Sequence, residues 1–140
     1  MPPGDGWQTV KLTSTRGRYV CLEALSTQKG DEFATCAELS LLGPEGKELP
    51  RQGWRVLYAD SEEAEGEDGR ADNVLDQDPK TFWHTQWDAA KPKPPHQLAI
   101  DLGREETITG LRYLPRQDGL PNGRIREFRV YVSSTPFKGL

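Results

Sequence analysis

The chain is poor in the residues that build metal and disulfide scaffolds: two cysteines, two histidines and one methionine occur in 140 residues. Two cysteines cannot form the multi-bridge framework of a small secreted scaffold. With two scattered histidines they also supply too few close ligands for a zinc centre. Cys21 and Cys36 sit in apolar, strand-like stretches, where a bridge or a pair of free buried thiols would each be natural. Positive charge is short as well, with 18 Lys and Arg against 22 Asp and Glu and a net charge of -4. That balance argues against nucleic acid and against an anionic membrane as partner. No apolar run approaches the length of a membrane span, and "MPPGDGW" lacks the basic and apolar regions of a secretory leader. A Gly-rich phosphate loop between strand and helix is missing, and so is "GxSxG". Nor can two opposed carboxylates be picked out for glycoside hydrolysis, so the sequence points away from an enzyme.

What is present is strand. "WQTVKLTS", "RYVCLEAL", "AELSLL", "WRVLYAD", "HQLAIDLG", "TITGLRYLP" and "REFRVYVSS" are short β-branched or alternating runs. In the last, Phe128, Val130 and Val132 alternate with Arg129, Tyr131 and Ser133, the period of a half-buried strand. Helical periodicity is confined to a turn near Asn73–Leu75. The pattern predicts an all-β fold, an antiparallel sandwich or barrel, in one domain over residues 1–140. "GPEGKELP" and "QDGLPNGR" read as turns, "SEEAEGEDGR" as a solvated acidic loop, and "AAKPKPPH" as a stiff loop because proline cannot donate to a ladder.

The stretch "DQDPKTFWHTQW", residues 76–87, has an acidic half and an aromatic half. Asp76 and Asp78, with Pro79 and Thr81, offer oxygens on a tight loop, as calcium prefers; the same residues could simply cap a turn. Trp83 and His84 alternate, so one should face the core, and that one is expected to be Trp83.

Four segments, "ADNVLDQDPKTFWHTQW", "PPHQLAIDLG", "LRYLPRQDGLPNGRIREFRVYVSS" and "RYVCLEAL…FATCAEL", resemble the coagulation-factor type C, or discoidin-like, domain. They are most similar to the bacterial family-32 carbohydrate-binding modules attached to glycoside hydrolases and sialidases. The resemblance implies a galactose-binding-domain-like jelly-roll β-sandwich. It also implies a circularly permuted order, because residues 1–43 resemble the family's C-terminal strands and residues 54–140 its N-terminal and central part. A tail of one repeat joined to the head of the next would give the same order. A structural calcium ion is implied beside the loops. Asp76 would give a side-chain oxygen, Asn73, Asp78 and Thr81 mainly carbonyls, and Glu38 with the Ala37 carbonyl would complete the shell. His84, Arg116 and Asn122 would hold the rim of a sugar, with Phe33 stacking on its face and Trp87 as a second platform. The implied ligands are glycans ending in galactose, GalNAc or GlcNAc, and an adjacent catalytic domain is a further implied partner. The implied location is secreted, periplasmic or cell-surface. Protein or membrane docking within a larger extracellular protein is the alternative. Each residue also has a plainer reading: His84 bonding a neighbouring loop, Arg116 pairing with Asp118, Asn122 serving the turn before Gly123. His96 reads as an ordinary loop residue, and Arg124 and Arg126 as solvent-facing strand positions.

Overall fold

The alternating runs do pair antiparallel, but two neighbouring pairs of them fuse into single long strands. The computed structural model describes residues 1 and 3–138. Its strands are β1 (Gln8–Ala24), β2 (Thr35–Cys36), β3 (Glu38–Leu42), β4 (Arg55–Ala59), β5 (Trp83–His84), β6 (His96–Leu114) and β7 (Phe128–Ser133). "WQTVKLTS" and "RYVCLEAL" are the two halves of β1, and "HQLAIDLG" and "TITGLRYLP" those of β6. No chain-reversing turn separates the halves; the register instead shifts between Lys11 and Thr15 and between Gly17 and Tyr19. Gly103, at φ 77°, takes up part of that irregularity in a conformation that a β-carbon would strain.

β6 is the spine of the larger sheet, ordered β3-β6-β1-β7, with β4 pairing the first half of β6. Val20 faces Ile100 and Leu22 faces Leu98 across β1–β6, while Leu22 faces Val130 across β1–β7. This register puts Val20, Leu22, Ala24, Leu98, Ile100 and Leu102 into one buried cluster. β2 and β5 form a second, two-stranded sheet, and Cys36, Trp83 and Val74 bring the second layer into the same core. The fold is therefore the expected antiparallel β-sandwich. Each large apolar side chain buried in it contributes roughly 1.5–3 kcal/mol. Among the described residues the helical turns are two short 3-10 turns, Pro44–Gly46 and Ala71–Leu75.

Trp83 is fully buried as expected, and its indole nitrogen donates to the Ser61 carbonyl at 2.8 Å. Cys21 and Cys36 are both buried and free, so no bridge joins them. Burial pushes the Cys21 thiol up to about 11. Two expectations need correction. His96 is no loop residue: it opens β6, opposite Ala24, and is completely buried. Ile125 makes only an isolated bridge to Thr27, so Arg124 and Arg126 flank a bridge rather than a strand; Arg126 is exposed and Arg124 half-buried.

Candidate functional site

Loops at one end of the sandwich converge on a cleft of about 330 Å³ lined by Phe33, Glu67, His84, Trp87, Lys91, Arg116, Leu120 and Asn122. All five residues expected to contact a ligand are among them. They arrive from the segment before β2, from β5 and its exit, and from the β6–β7 connection, so only the fold brings them together. A larger depression of about 510 Å³ along β4, with Asp60, Glu62 and Asp72 on its walls, lacks such a combination of rings and cationic donors.

His84 is held by the pairing of β5 with Thr35 of β2. Its Nδ1 lies 2.6 Å from the Thr85 carbonyl. A carbonyl only accepts, so Nδ1 carries the proton and Nε2 is left as an acceptor. Burial lowers the imidazole pKa, and the Arg116 charge lowers it further, against the Thr85 hydrogen bond. The neutral ring sits 5.2 Å from Phe33, 6.3 Å from Phe82 and 6.4 Å from Trp87, centroid to centroid.

Arg116 grips Asp118 in a two-point pair at 2.9 and 2.6 Å and lies over the Phe82 ring at 4.4 Å. The pairing with Asp118 is thus real, and it orients the guanidinium while Nη1 keeps no protein acceptor among the described residues. Asn122 is also tied into its turn: its carbonyl accepts from Thr35 Oγ1 at 2.8 Å and its Oδ1 from Lys29 Nζ at 3.0 Å. That leaves the amide NH₂ as donor. Trp87 donates its indole N–H to Glu67 Oε1 at 2.9 Å, leaving the other Glu67 oxygen as acceptor. Flat rings, three cationic or amide donors (Lys91, Arg116 and Asn122) and two acceptors share one cleft, a set that suits a small polyol.

Glu67 and Lys91 were not foreseen, and neither was the part played by the acidic run. "SEEAEGEDGR" is solvent-facing along most of its length, as expected, but it is also anchored inward. Glu63 is buried within it and accepts four backbone N–H groups, from Trp87, Gly66, Asp88 and Glu65, at 2.8–2.9 Å. Those bonds hold its carboxyl down to about 2. The sequence did carry a signal for this packing in the paired glycines. A β-carbon on Gly66 would lie 2.6 Å from the Trp87 ring, and one on Gly69 would lie 2.9 Å from His84. Only glycines let the loop close on the cleft.

The acidic half of residues 76–87 makes the turn that Asx side chains favour. Asp76 Oδ1 accepts from the Asp78 N–H at 2.8 Å, and Thr81 Oγ1 bonds Asp76 Oδ2 and, at 3.1 Å, the Asp78 carbonyl. The Asn73 carbonyl accepts from Asp76 N, and the Asn73 amide donates to the Phe82 carbonyl at 3.1 Å. Glu38 and Ala37 arrive buried on the other side. Glu38 Oε1 receives Arg51 at 2.6 Å, whereas its buried Oε2 has no partner. Burial pushes the Glu38 carboxyl up to about 7; Arg51 opposes this and the facing Asp76 reinforces it. Among the described residues no three His, Cys, Asp or Glu side chains cluster. The donor set is two facing carboxylates plus carbonyls and a hydroxyl. It fits a hard cation such as calcium, not zinc.

The F5/8 type C domain family matches residues 58–137. The chain is 38% identical over 126 residues, 89% of its length, to a sialidase of Micromonospora viridifaciens, of which it spans 18%. It is 41% identical over 92 residues, 65% of its length, to a galactose oxidase of Gibberella zeae, spanning 13% of that protein. It is also 38% identical over 65 residues, 46% of its length, to an A type blood N-acetyl-alpha-D-galactosamine deacetylase of Flavonifractor plautii, spanning 8% of it.

Proposed function

Because the chain belongs to the F5/8 type C domain family, we propose that it is a non-catalytic carbohydrate-binding module whose loop-end cleft holds a terminal galactose-type or N-acetylhexosamine sugar. The observation that carries this reading is the convergence of Phe33, His84, Trp87, Arg116 and Asn122 on one cleft. His84 Nε2 and the second Glu67 oxygen accept sugar hydroxyls; Arg116 and Asn122 donate to them; Phe33 or Trp87 takes the C–H face. Galactose and N-acetyl-α-D-galactosamine stand in the names of two relatives, which supports that sugar class. The relatives are several times longer than the chain, which suits an accessory module beside a catalytic domain; a location outside the cell is part of the same proposal. Among the described residues Glu67 is the one carboxylate lining the cleft, whereas paired-carboxylate hydrolysis needs two. In this reading the order of segments is the permuted one, with β1 and β3 in the places of the family's last strands.

Calcium belongs to the same proposal. Asp76 and Glu38 would hold it by side chains, and Asn73, Asp78, Thr81 and Ala37 by carbonyls. It supplies the positive charge that the orphaned Glu38 oxygen lacks, and it stiffens the loop leading to Trp83 and His84.

A few net hydrogen bonds at ~1 kcal/mol each and one stacked ring must also offset association entropy. A monosaccharide Kd on the order of millimolar, roughly 4 kcal/mol, is expected. On a glycan array with calcium present, the wild-type chain should retain galactose- or GalNAc-terminated glycans. His84→Ala and Asn122→Ala should lose at least ten-fold in signal with unchanged circular dichroism. Full retention by both variants would remove the cleft as the site.

A further inference from the structure

His96 lies outside the cleft, yet both of its ring nitrogens are engaged in a place closed to water. Nδ1 is 2.8 Å from Asp60 Oδ2 and Nε2 is 2.7 Å from the Glu32 carbonyl, and the residue has no exposed surface. The Glu32 oxygen can only accept, and so can the Asp60 carboxylate. A neutral imidazole has one N–H and can satisfy one of them; an imidazolium satisfies both. Asp60 is itself fixed, because its Oδ1 accepts the Gln97 N–H at 2.6 Å.

We propose that His96 is a positioning residue for the cleft: as an imidazolium it clamps the Glu32 carbonyl and thereby holds the next residue, Phe33, against His84. The contact of Phe33 with His84, at 5.2 Å between centroids, is the platform that the proposed sugar stacks on. The effect on binding rests on the sugar reading of that cleft, whereas the clamp itself does not.

The groups around the ring favour the cation. Burial opposes protonation, but Asp60 and the carbonyls of Glu32 and Pro92 outweigh it, so the pKa is raised above 6.5. From the segment before β2, Asp31 is occupied by Thr27 Oγ1 at 2.7 Å and the Gly123 N–H at 3.1 Å. From β1, Glu23 receives the Gln97 amide at 2.8 Å, and the Cys21 thiol stays neutral up to about 11. From the proline run, Lys91 and Lys93 flank Pro92. Asp60 is the one whose charge bears on the ring. When pH rises through the folded-state pKa, Nδ1–H keeps Asp60 and Nε2 presents a lone pair to the Glu32 oxygen. The two repel, the 31–33 segment loosens and the stacking ring is released.

The test is a pH titration of the ¹⁵N-labelled chain by NMR, reading the His96 ring nitrogens and the Phe33 ring signals, with galactose titrations on the same samples. The His96 midpoint should lie above 6.5, the Phe33 signals should move with the same midpoint, and the galactose Kd should rise several-fold across it. Asp60→Asn should shift all three together to lower pH. A His96 ring already neutral at pH 6, or Phe33 signals indifferent to its midpoint, would overturn the clamp. Co-titration of His96 and Phe33 with no galactose binding at any pH would support the clamp and discard the sugar reading.

Discussion

At the scale of single residues, the chain's two histidines are displaced in opposite directions by their surroundings. His84 is partnered by one carbonyl and crowded by rings and Arg116, so its neutral form is favoured. A base with a lowered folded-state pKa gives stability that is complete above 6.5 and is lost as pH falls through the folded value. The same protonation removes the Nε2 acceptor from the cleft. Galactose binding should therefore weaken on acidification below pH 6.5, and calorimetry in a pH series would reveal it; an affinity constant from pH 7 to 5 would contradict the assigned tautomer. His84 was legible from its place beside Trp83, because strand alternation separates a core residue from an outward one. His96 was not, since a proline run before it looks like loop while its burial depends on Asp60, 36 positions earlier.

At the scale of elements, one loop that lines the cleft and one that leads into β5 are each organised by a carboxylate. Glu63 gathers the 61–69 loop and the end of the 85–88 segment around one side chain. With its pKa lowered to about 2, its contribution is fully present above the unfolded value of about 4.5 and disappears as pH falls toward 2. Glu63→Ala should lower the melting temperature by several degrees and weaken sugar binding together, because Trp87 loses its anchor. A thermal scan and a galactose titration check this, and normal binding on a destabilised fold would separate Glu63 from the cleft. The 73–81 loop is organised around Asp76, with Glu38 opposite. Saturating calcium at about 100 Kd should stabilise by ~2.7 kcal/mol, a shift of several degrees. Scanning calorimetry in calcium and in excess chelator reads that increment, which Asp76→Asn should abolish; identical melts of the wild-type chain would refute calcium binding. The Asx turn was readable locally, whereas the orphaned Glu38 oxygen emerges only when β3 is placed against that turn.

At the scale of the whole molecule, turn chemistry and β-branched or alternating runs marked five of the seven strands among the described residues, missing the two-residue β2 and β5. Period-two patterning is clear where one face is buried, as in β7. Residues 20–24, 38–41 and 98–102 are instead buried at every position and read as continuous apolar-rich runs. What local pattern could not show was continuity. β1 and β6 pass through irregular points at Gly17 and Gly103 that resemble breaks, and only pairing with each other carries them across. The ring and donor set of the cleft was recognisable from motifs, while Glu67 hid inside a run of acids whose composition favours solvent. The central position of β1 has a further consequence. Residues near 20 must find partners near 100 and near 130 before the large sheet has a middle, so its assembly awaits closure of loops about 80 and 110 residues long. During synthesis, β1 stays without its sheet neighbours until β6 emerges behind it. Its exposed Val20 and Leu22 then make early chain release, or a stall before residue 130, a point of aggregation risk.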